Sequence, residues 1–309
     1  MRTTVAMVII AASLLAASGG ALAVAVYWVP AHELAPQGGI YGSLAVCDLD
    51  GDGDQDVSFI QGGDAPVANA QLWNIGTGHT PAWHVEMGVL HAIYACWNRR
   101  GTYGDIDGDG DFDLISGCIQ HGLYLHRNVG TPQSPSWASP SPVQGAPDWS
   151  SAEPSLVDLD ADGDLDLVIG YRGVTGAYLK ENVGTPQAPQ WTAPGSWLPG
   201  LDAWPPLALG DLDLDGDLDA ISNTTTGGIA CFENVGTTQV PSFEANPSML
   251  AGIEPPTGAK TFALLDIDGE GDVDLLCERS PGDQVWLYLN ETVTATQHGS
   301  WSTIKAMYR

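Results

Sequence analysis

The sequence predicts an all-β ring of about five four-stranded blades, a β-propeller, and three observations predict it. One acidic string recurs five times, an Asn-x-Gly-Thr string follows it at a near-constant offset, and the apolar runs between them are too short for helices. The composition agrees. The chain has 38 Gly and 21 Pro in 309 residues, more than long helices tolerate, and 44% hydrophobic residues to build a core.

The acidic strings are Asp48-Leu-Asp-Gly-Asp-Gly-Asp-Gln-Asp56, Asp105-Ile-Asp-Gly-Asp-Gly-Asp-Phe-Asp113, Asp158-Leu-Asp-Ala-Asp-Gly-Asp-Leu-Asp166, Asp211-Leu-Asp-Leu-Asp-Gly-Asp-Leu-Asp219 and Asp266-Ile-Asp-Gly-Glu-Gly-Asp-Val-Asp274. Their starts lie 57, 53, 53 and 55 residues apart. The second string is Asn74-Ile-Gly-Thr, Asn128-Val-Gly-Thr, Asn182-Val-Gly-Thr, Asn234-Val-Gly-Thr and a degenerate Asn290-Glu-Thr. An aromatic closes each unit, at Trp83, Trp137, Trp191, Phe243 and Trp301, and Trp28 stands before the first unit as Trp191 stands before the fourth. The chain thus begins and ends with the same kind of strand, as closing a ring by overlapping its ends requires; one of the two is surplus.

Each unit reads as four strands. A short apolar run such as Ser43-Leu-Ala-Val-Cys47 precedes the acidic loop, and another such as Leu165-Asp-Leu-Val-Ile169 follows it. The third segment alternates or is aromatic and β-branched, as in Val285-Trp-Leu-Tyr-Leu289. Asn-x-Gly-Thr is a turn, and the segment around the closing aromatic is the fourth strand. Four strands in roughly 54 residues fit a propeller blade, whereas β-helix coils are shorter and immunoglobulin-like sandwiches nearly twice as long.

Residues 1–23 are set apart as a signal peptide: Arg2, an apolar run from Val5, then Ala21-Leu22-Ala23 as an A-x-A cleavage site. The alternative is an uncleaved anchor. Residues 24–309 then form a single propeller, secreted, periplasmic or at the cell surface. Cys47, Cys96, Cys118, Cys231 and Cys277 share no CxxC spacing; they read as small buried hydrophobes, with Cys96 to Cys118 the one bridge considered.

Each loop places oxygen donors at positions 1, 3, 5 and 9, with Gly at position 6 where the backbone turns about an ion. Dense hard oxygens select calcium over zinc. An EF-hand would need Glu at position 12, where Phe59, Ser116, Ile169, Ser222 and Cys277 stand instead. The shorter loop resembles the DxDxDGxxD calcium hairpin of FG-GAP and VCBS-type repeats, the family that includes the integrin alpha-chain propeller, and the likeness covers the whole mature chain. It implies side-chain ligands Asp48, Asp50, Asp52 and Asp56; Asp105, Asp107, Asp109 and Asp113; Asp158, Asp160, Asp162 and Asp166; Asp211, Asp213, Asp215 and Asp219; and Asp266, Asp268, Glu270 and Asp274. Asp54, Asp111, Asp164, Asp217 and Asp272 at position 7 would offer backbone carbonyls. About five calcium ions follow, and they would bring the formal charge of −28 to −18.

That charge, from 38 acidic and 10 basic side chains, excludes nucleic acid and anionic lipid as direct partners. No HExxH or GxSxG is present, and carboxylates at ligand spacing in every repeat need no catalytic explanation. His84, His91, His121 and His126 read as strand or surface residues, and Arg99-Arg100 as a solvated turn. The expectation is therefore a non-enzymatic, monomeric binding or adhesion module for a glycan or protein ligand, without membrane insertion once the signal is removed. Its contacts would lie on the stretches that break the repeat, Gln61 to Ala70, His91 to Tyr103 and Tyr171 to Gly176. The alternative is a carbohydrate-active enzyme on the same scaffold.

Overall fold

The computed structural model describes residues 28–34, 42–61, 70–76, 82–87, 100–118, 122–146, 151–185, 189–253, 261–267, 271–279 and 284–290. The signal or anchor segment, Cys96 and Trp301 lie outside the described residues.

Among the described residues twenty strands form five antiparallel four-stranded sheets, the all-β propeller that the repeats predict. The first strand, β1 (Trp28–Leu34), belongs to the last blade. Blade one is β2 (Gly42–Cys47), β3 (Asp56–Gln61), β4 (Ala70–Asn74) and β5 (Trp83–Met87). Blade two is β6 (Arg100–Gly104), β7 (Asp113–Cys118), β8 (Gly122–His126) and β9 (Ser141–Pro142). Blade three is β10 (Ala152–Val157), β11 (Asp166–Tyr171), β12 (Ala177–Lys180) and β13 (Ser196–Trp197). Blade four is β14 (Trp204–Gly210), β15 (Asp219–Asn223), β16 (Ile229–Asn234) and β17 (Phe243–Ala245). Blade five is β18 (Phe262–Leu265), β19 (Asp274–Arg279) and β20 (Gln284–Asn290), completed by β1 with Trp28 opposite Asn290.

That last pairing settles which terminal strand closes the ring. Asn74 faces Trp83, Asn128 faces Trp137, Asn182 faces Trp191 and Asn234 faces Phe243, so Trp28 fills the same place opposite Asn290. In blades two and three the Trp makes only an isolated bridge, and regular pairing resumes a few residues later in β9 and β13.

The inner strands β2, β6, β10, β14 and β18 touch one another in turn, and β18 returns to β2. Equivalent stretches lie side by side: Leu44 donates its N–H to Thr261 Oγ1 at 3.1 Å and Gly101 donates to Ser43 Oγ at 2.9 Å near the strand starts, and Leu156, two residues before Asp158, donates to Thr102 Oγ1, three residues before Asp105, at 3.3 Å. All five therefore run the same way, and every acidic loop leaves from one end of the ring.

The core is divided among the blade interfaces. Leu44, Val57, Phe59 and Leu72 of blade one pack on Leu265, Ile267, Leu276 and Leu287 of blade five, and four further clusters join the other neighbours. Both faces of a blade are thus covered, which explains why these strands read as continuous apolar runs. In β11, Leu167, Ile169 and Tyr171 face blade two while Val168 faces blade four. Cys47, Cys231 and Cys277 are buried within these interfaces, as expected of small hydrophobes.

Candidate metal centres at the acidic loops

The local sequence folds each loop about its own carboxylates. Asp48 takes the backbone N–H of Asp52 at 3.0 Å and of Gly53 at 2.9 Å, and Asp105, Asp158 and Asp211 serve their loops the same way. The position-7 N–H then donates to the position-5 carboxylate, Asp54 to Asp52 at 3.0 Å and Asp164 to Asp162 at 2.9 Å. The position-6 glycines hold φ between +91° and +100°, and a Cβ added at any of the five would meet nothing within 4 Å. Conformation, not space, demands glycine there. Position 4 is also left-handed; Gly51 and Gly108 suit it, while Ala161 and Leu214 adopt φ of 58° and 61° at a steric cost.

Each of the first four loops draws carboxylate oxygens together. Asp48, Asp50 and Asp56, then Asp105, Asp107 and Asp109, then Asp158, Asp160 and Asp162, and finally Asp211, Asp213 and Asp219 each offer oxygens within 4.8 Å of one another. Asp52, Asp113, Asp166 and Asp215 stand outside those groups, and in the fifth loop Asp268 and Glu270 lie outside the described residues.

The structure assigns the position-9 aspartates a second role. Asp56 accepts from Leu49 N at 3.0 Å and Asn74 N at 2.8 Å, tying the acidic loop to the Asn-x-Gly-Thr turn. Asp166, Asp219 and Asp274 make the same two bonds, and Asp113 takes Asn128 N at 2.8 Å. The Asn side chain completes the turn: Asn182 Oδ1 accepts from Gly184 N at 3.1 Å and Gln190 N at 2.9 Å. At position 7 the side chains of Asp111, Asp164 and Asp272 are buried, although the sequence assigned that position only a backbone carbonyl.

Crowding raises the proton affinity of these groups. Burial pushes Asp219 up to about 8, Asp113 and Asp166 to about 7 and Asp56 to about 6, against the pull of their backbone hydrogen bonds. Asp213 and Asp217 rise to about 6 through burial and then the charge of Asp215. Asp111 Oδ1, Asp113 Oδ2, Asp213 Oδ1 and Asp217 Oδ1 are buried without a hydrogen-bond partner. Oxygen-only donors, converging and short of protons to accept, fit a hard divalent cation such as calcium.

Sequence reading missed the contacts made between strands and blades. Arg127, one residue before Asn128, ion-pairs with Asp107 in the second loop. Glu233, at the same place in blade four, adds negative charge beside Asp213 and Asp217. Gln133 Nε2 donates to Asp50 O at 2.7 Å and Gln239 Nε2 to Asp160 O at 3.1 Å, so each reaches the loop of the preceding blade. A signal existed: Gln recurs five residues after Asn128, Asn182 and Asn234. Arg100 is also not in a solvated turn. It is 5% exposed on β6, with Nε 3.5 Å from Glu153 Oε1. Among the described histidines, His126 is buried against Ser116 Oγ at 2.8 Å, and His84 is exposed at the blade edge.

A ring of five blades with acidic hairpin loops at one end defines the class. Residues 105–169 and 158–222 match the family model of the FG-GAP-like repeat, so this stretch of the five-bladed propeller is built of FG-GAP-like repeats. No curated protein matches it. Among solved structures it is similar to a GH43_1 enzyme from Xanthomonas citri, at 13% identity and TM-score 0.56, covering 88% of this chain and 92% of that one. It is also similar to CoXyl43, a GH43 beta-xylosidase/alpha-arabinofuranosidase from a compost microbial metagenome, at 11% identity and TM-score 0.57, covering 87% and 96%. A lectin of Agrocybe aegerita that recognises non-reducing terminal N-acetylglucosamine matches at 19% identity and TM-score 0.43; the alignment covers 80% of this chain and only 63% of the lectin. At these identities the likeness is one of fold.

Proposed function

We propose that this protein is an exported binding module for a glycan or protein ligand, a propeller whose acidic loops are held in shape by calcium. One observation carries the reading: the acidic loops leave one end of the ring, and the described strand ends that flank the repeat-breaking stretches lie at the other. The strand ends that bracket those stretches, Gln61 and Ala70, Arg100, and Tyr171 and Ala177, all stand away from the acidic loops. A constant end suits scaffolding and a variable end suits recognition.

In the first four loops the position-1 aspartate shapes the backbone, and its carboxylate converges with that of position 3 and with position 5 in loops two and three or position 9 in loops one and four, the set that would hold the ion. The position-9 aspartate ties the loop to the neighbouring turn. Calcium, when bound, supplies the positive charge that lets these carboxylates stay ionised together. Among the described residues, Ser116 and His126 form the nearest approach to a nucleophile and base, and both are buried in a blade.

The test pairs a calcium titration with a glycan array, run in calcium and in EGTA beside a turnover assay on every glycan bound. Binding without product supports the module. Product formation would move the assignment to the carbohydrate-active enzyme, and absence of any calcium effect on the fold would remove the metal from the reading.

A further inference from the structure

The five residues that stand five places before the first aspartate of each loop are Ser43, Arg100, Glu153, Pro206 and Thr261. They occupy one position of the repeat, at the starts of the five inner strands, and all five line a cavity of about 130 Å³ on the ring axis. The chemistry of that position differs in every blade, whereas the aspartate five residues later never changes. Two of the hydroxyls are already committed to joining blades: Ser43 Oγ takes Gly101 N, and Thr261 Oγ1 takes Leu44 N. Arg100 and Glu153 are the charged members of the lining.

Arg100 and Glu153 are both more than nine-tenths buried, their side chains 7% exposed each. Their 3.5 Å contact is an ion pair without hydrogen-bond geometry, and Glu153 Oε1 accepts no hydrogen bond. Such a carboxylate oxygen costs free energy unless something donates to it. Arg172, exposed in the turn after β11, adds a second guanidinium field at Glu153 and belongs to one of the repeat-breaking stretches.

We propose that this axial cavity is a binding subsite for an uncharged hydroxyl-rich group, the terminal residue of a saccharide, held by Arg100 and Glu153. A carboxylate or phosphate would be repelled by Glu153, and an ammonium by Arg100. A sugar hydroxyl donates and accepts through one atom, so it can give its proton to Glu153 Oε1 while receiving the Arg100 N–H. The volume corresponds to roughly four water molecules, so it admits the tip of a chain. This subsite rests on the glycan-binding reading and gives it a location.

The experiment uses the full chain in calcium. Free D-xylose, D-galactose and N-acetylglucosamine are titrated by ligand-observed saturation-transfer NMR, with D-glucuronic acid and D-glucosamine as charged counterparts. The Arg100 Nε–H resonance is followed on labelled wild-type protein, and Glu153→Gln is compared after its thermal melt has established folding. The expected result is binding of at least one neutral sugar in preference to its charged counterpart, movement of the Arg100 resonance, and roughly tenfold or greater weakening in Glu153→Gln. Sugar binding with a stationary Arg100 resonance, or equal affinity in folded Glu153→Gln, overturns the axial subsite and leaves glycan binding elsewhere intact. If no neutral sugar binds, the subsite and the glycan half of the functional reading fall together. The wild-type Arg100 measurement decides the matter if Glu153→Gln does not fold.

Discussion

Removing calcium while varying pH tests the loop assignment most directly, because the two conditions are expected to change stability with opposite sign. At sites of extracellular-module affinity, with dissociation constants of about 0.1–1 mM, 1 mM calcium contributes about 0.4–1.4 kcal/mol per loop. Five loops give about 2–7 kcal/mol, and a domain of this size shifts its melting temperature by about 2 °C per kcal/mol, so EGTA should lower it by about 4–14 °C at neutral pH. The pH dependence in EGTA follows from the raised proton affinities: Asp219 at about 8, Asp113 and Asp166 at about 7 and Asp56 at about 6 all lie above the ordinary value of 3.8. The folded state then holds more protons than the unfolded chain between about pH 4 and 8, so stability in chelator falls as pH rises through that window. Calcium competes with those protons and favours the ionised form, so in calcium the melting temperature should hold or rise over the same window. Calorimetric melts across about pH 5 to 8, with and without EGTA, measure both slopes. A melting temperature indifferent to calcium, or one that rises with pH in EGTA, refutes the reasoning.

Other expectations follow from single contacts. Asp219→Asn keeps one acceptor oxygen for Asn234 N but sets an amide NH2 against Leu212 N, so it should cost about 1–2 kcal/mol in EGTA at pH 7 and about 0.4–1.4 kcal/mol more in calcium; equal losses in both media would count against Asp219 as a ligand as well as a tie. Asn182→Ala strands the N–H groups of Gly184 and Gln190 and should cost about 1–2 kcal/mol by denaturant melts, with or without calcium. Gly110→Ala forces a side chain to φ of 91° in open space and should cost about 1–2 kcal/mol, whereas Leu214→Gly, which relieves a left-handed leucine, should cost less than about 1 kcal/mol or stabilise, both read from denaturant melts. Deleting residues 24–34 removes the fourth strand of blade five and should abolish the cooperative melt, while truncation after Asn290 should leave it in place.

The order of amino acids is enough to specify the blade. Short apolar runs, a fixed acidic loop and the Asn-x-Gly-Thr turn recur within each repeat, and strand identity, loop position and the count of five blades follow from short-range rules. The oxygen-rich loop is legible for the same reason: its donors sit within nine consecutive residues and its glycine answers a local dihedral. Whatever joins one blade to another is settled only by the folded ring. Trp28 and Trp301 are equivalent as letters, and pairing to Asn290 selects Trp28 as the closing strand. Position-9 aspartates read as ligands alone in the sequence, but in the blade backbone N–H groups 15 to 18 residues away claim the same carboxylates. Arg100 and Glu153 stand 53 residues apart, one full repeat, so no local pattern pairs them. They meet because a ring brings one repeat position round a common axis, and burial there replaces the water that would otherwise hold the two charges apart.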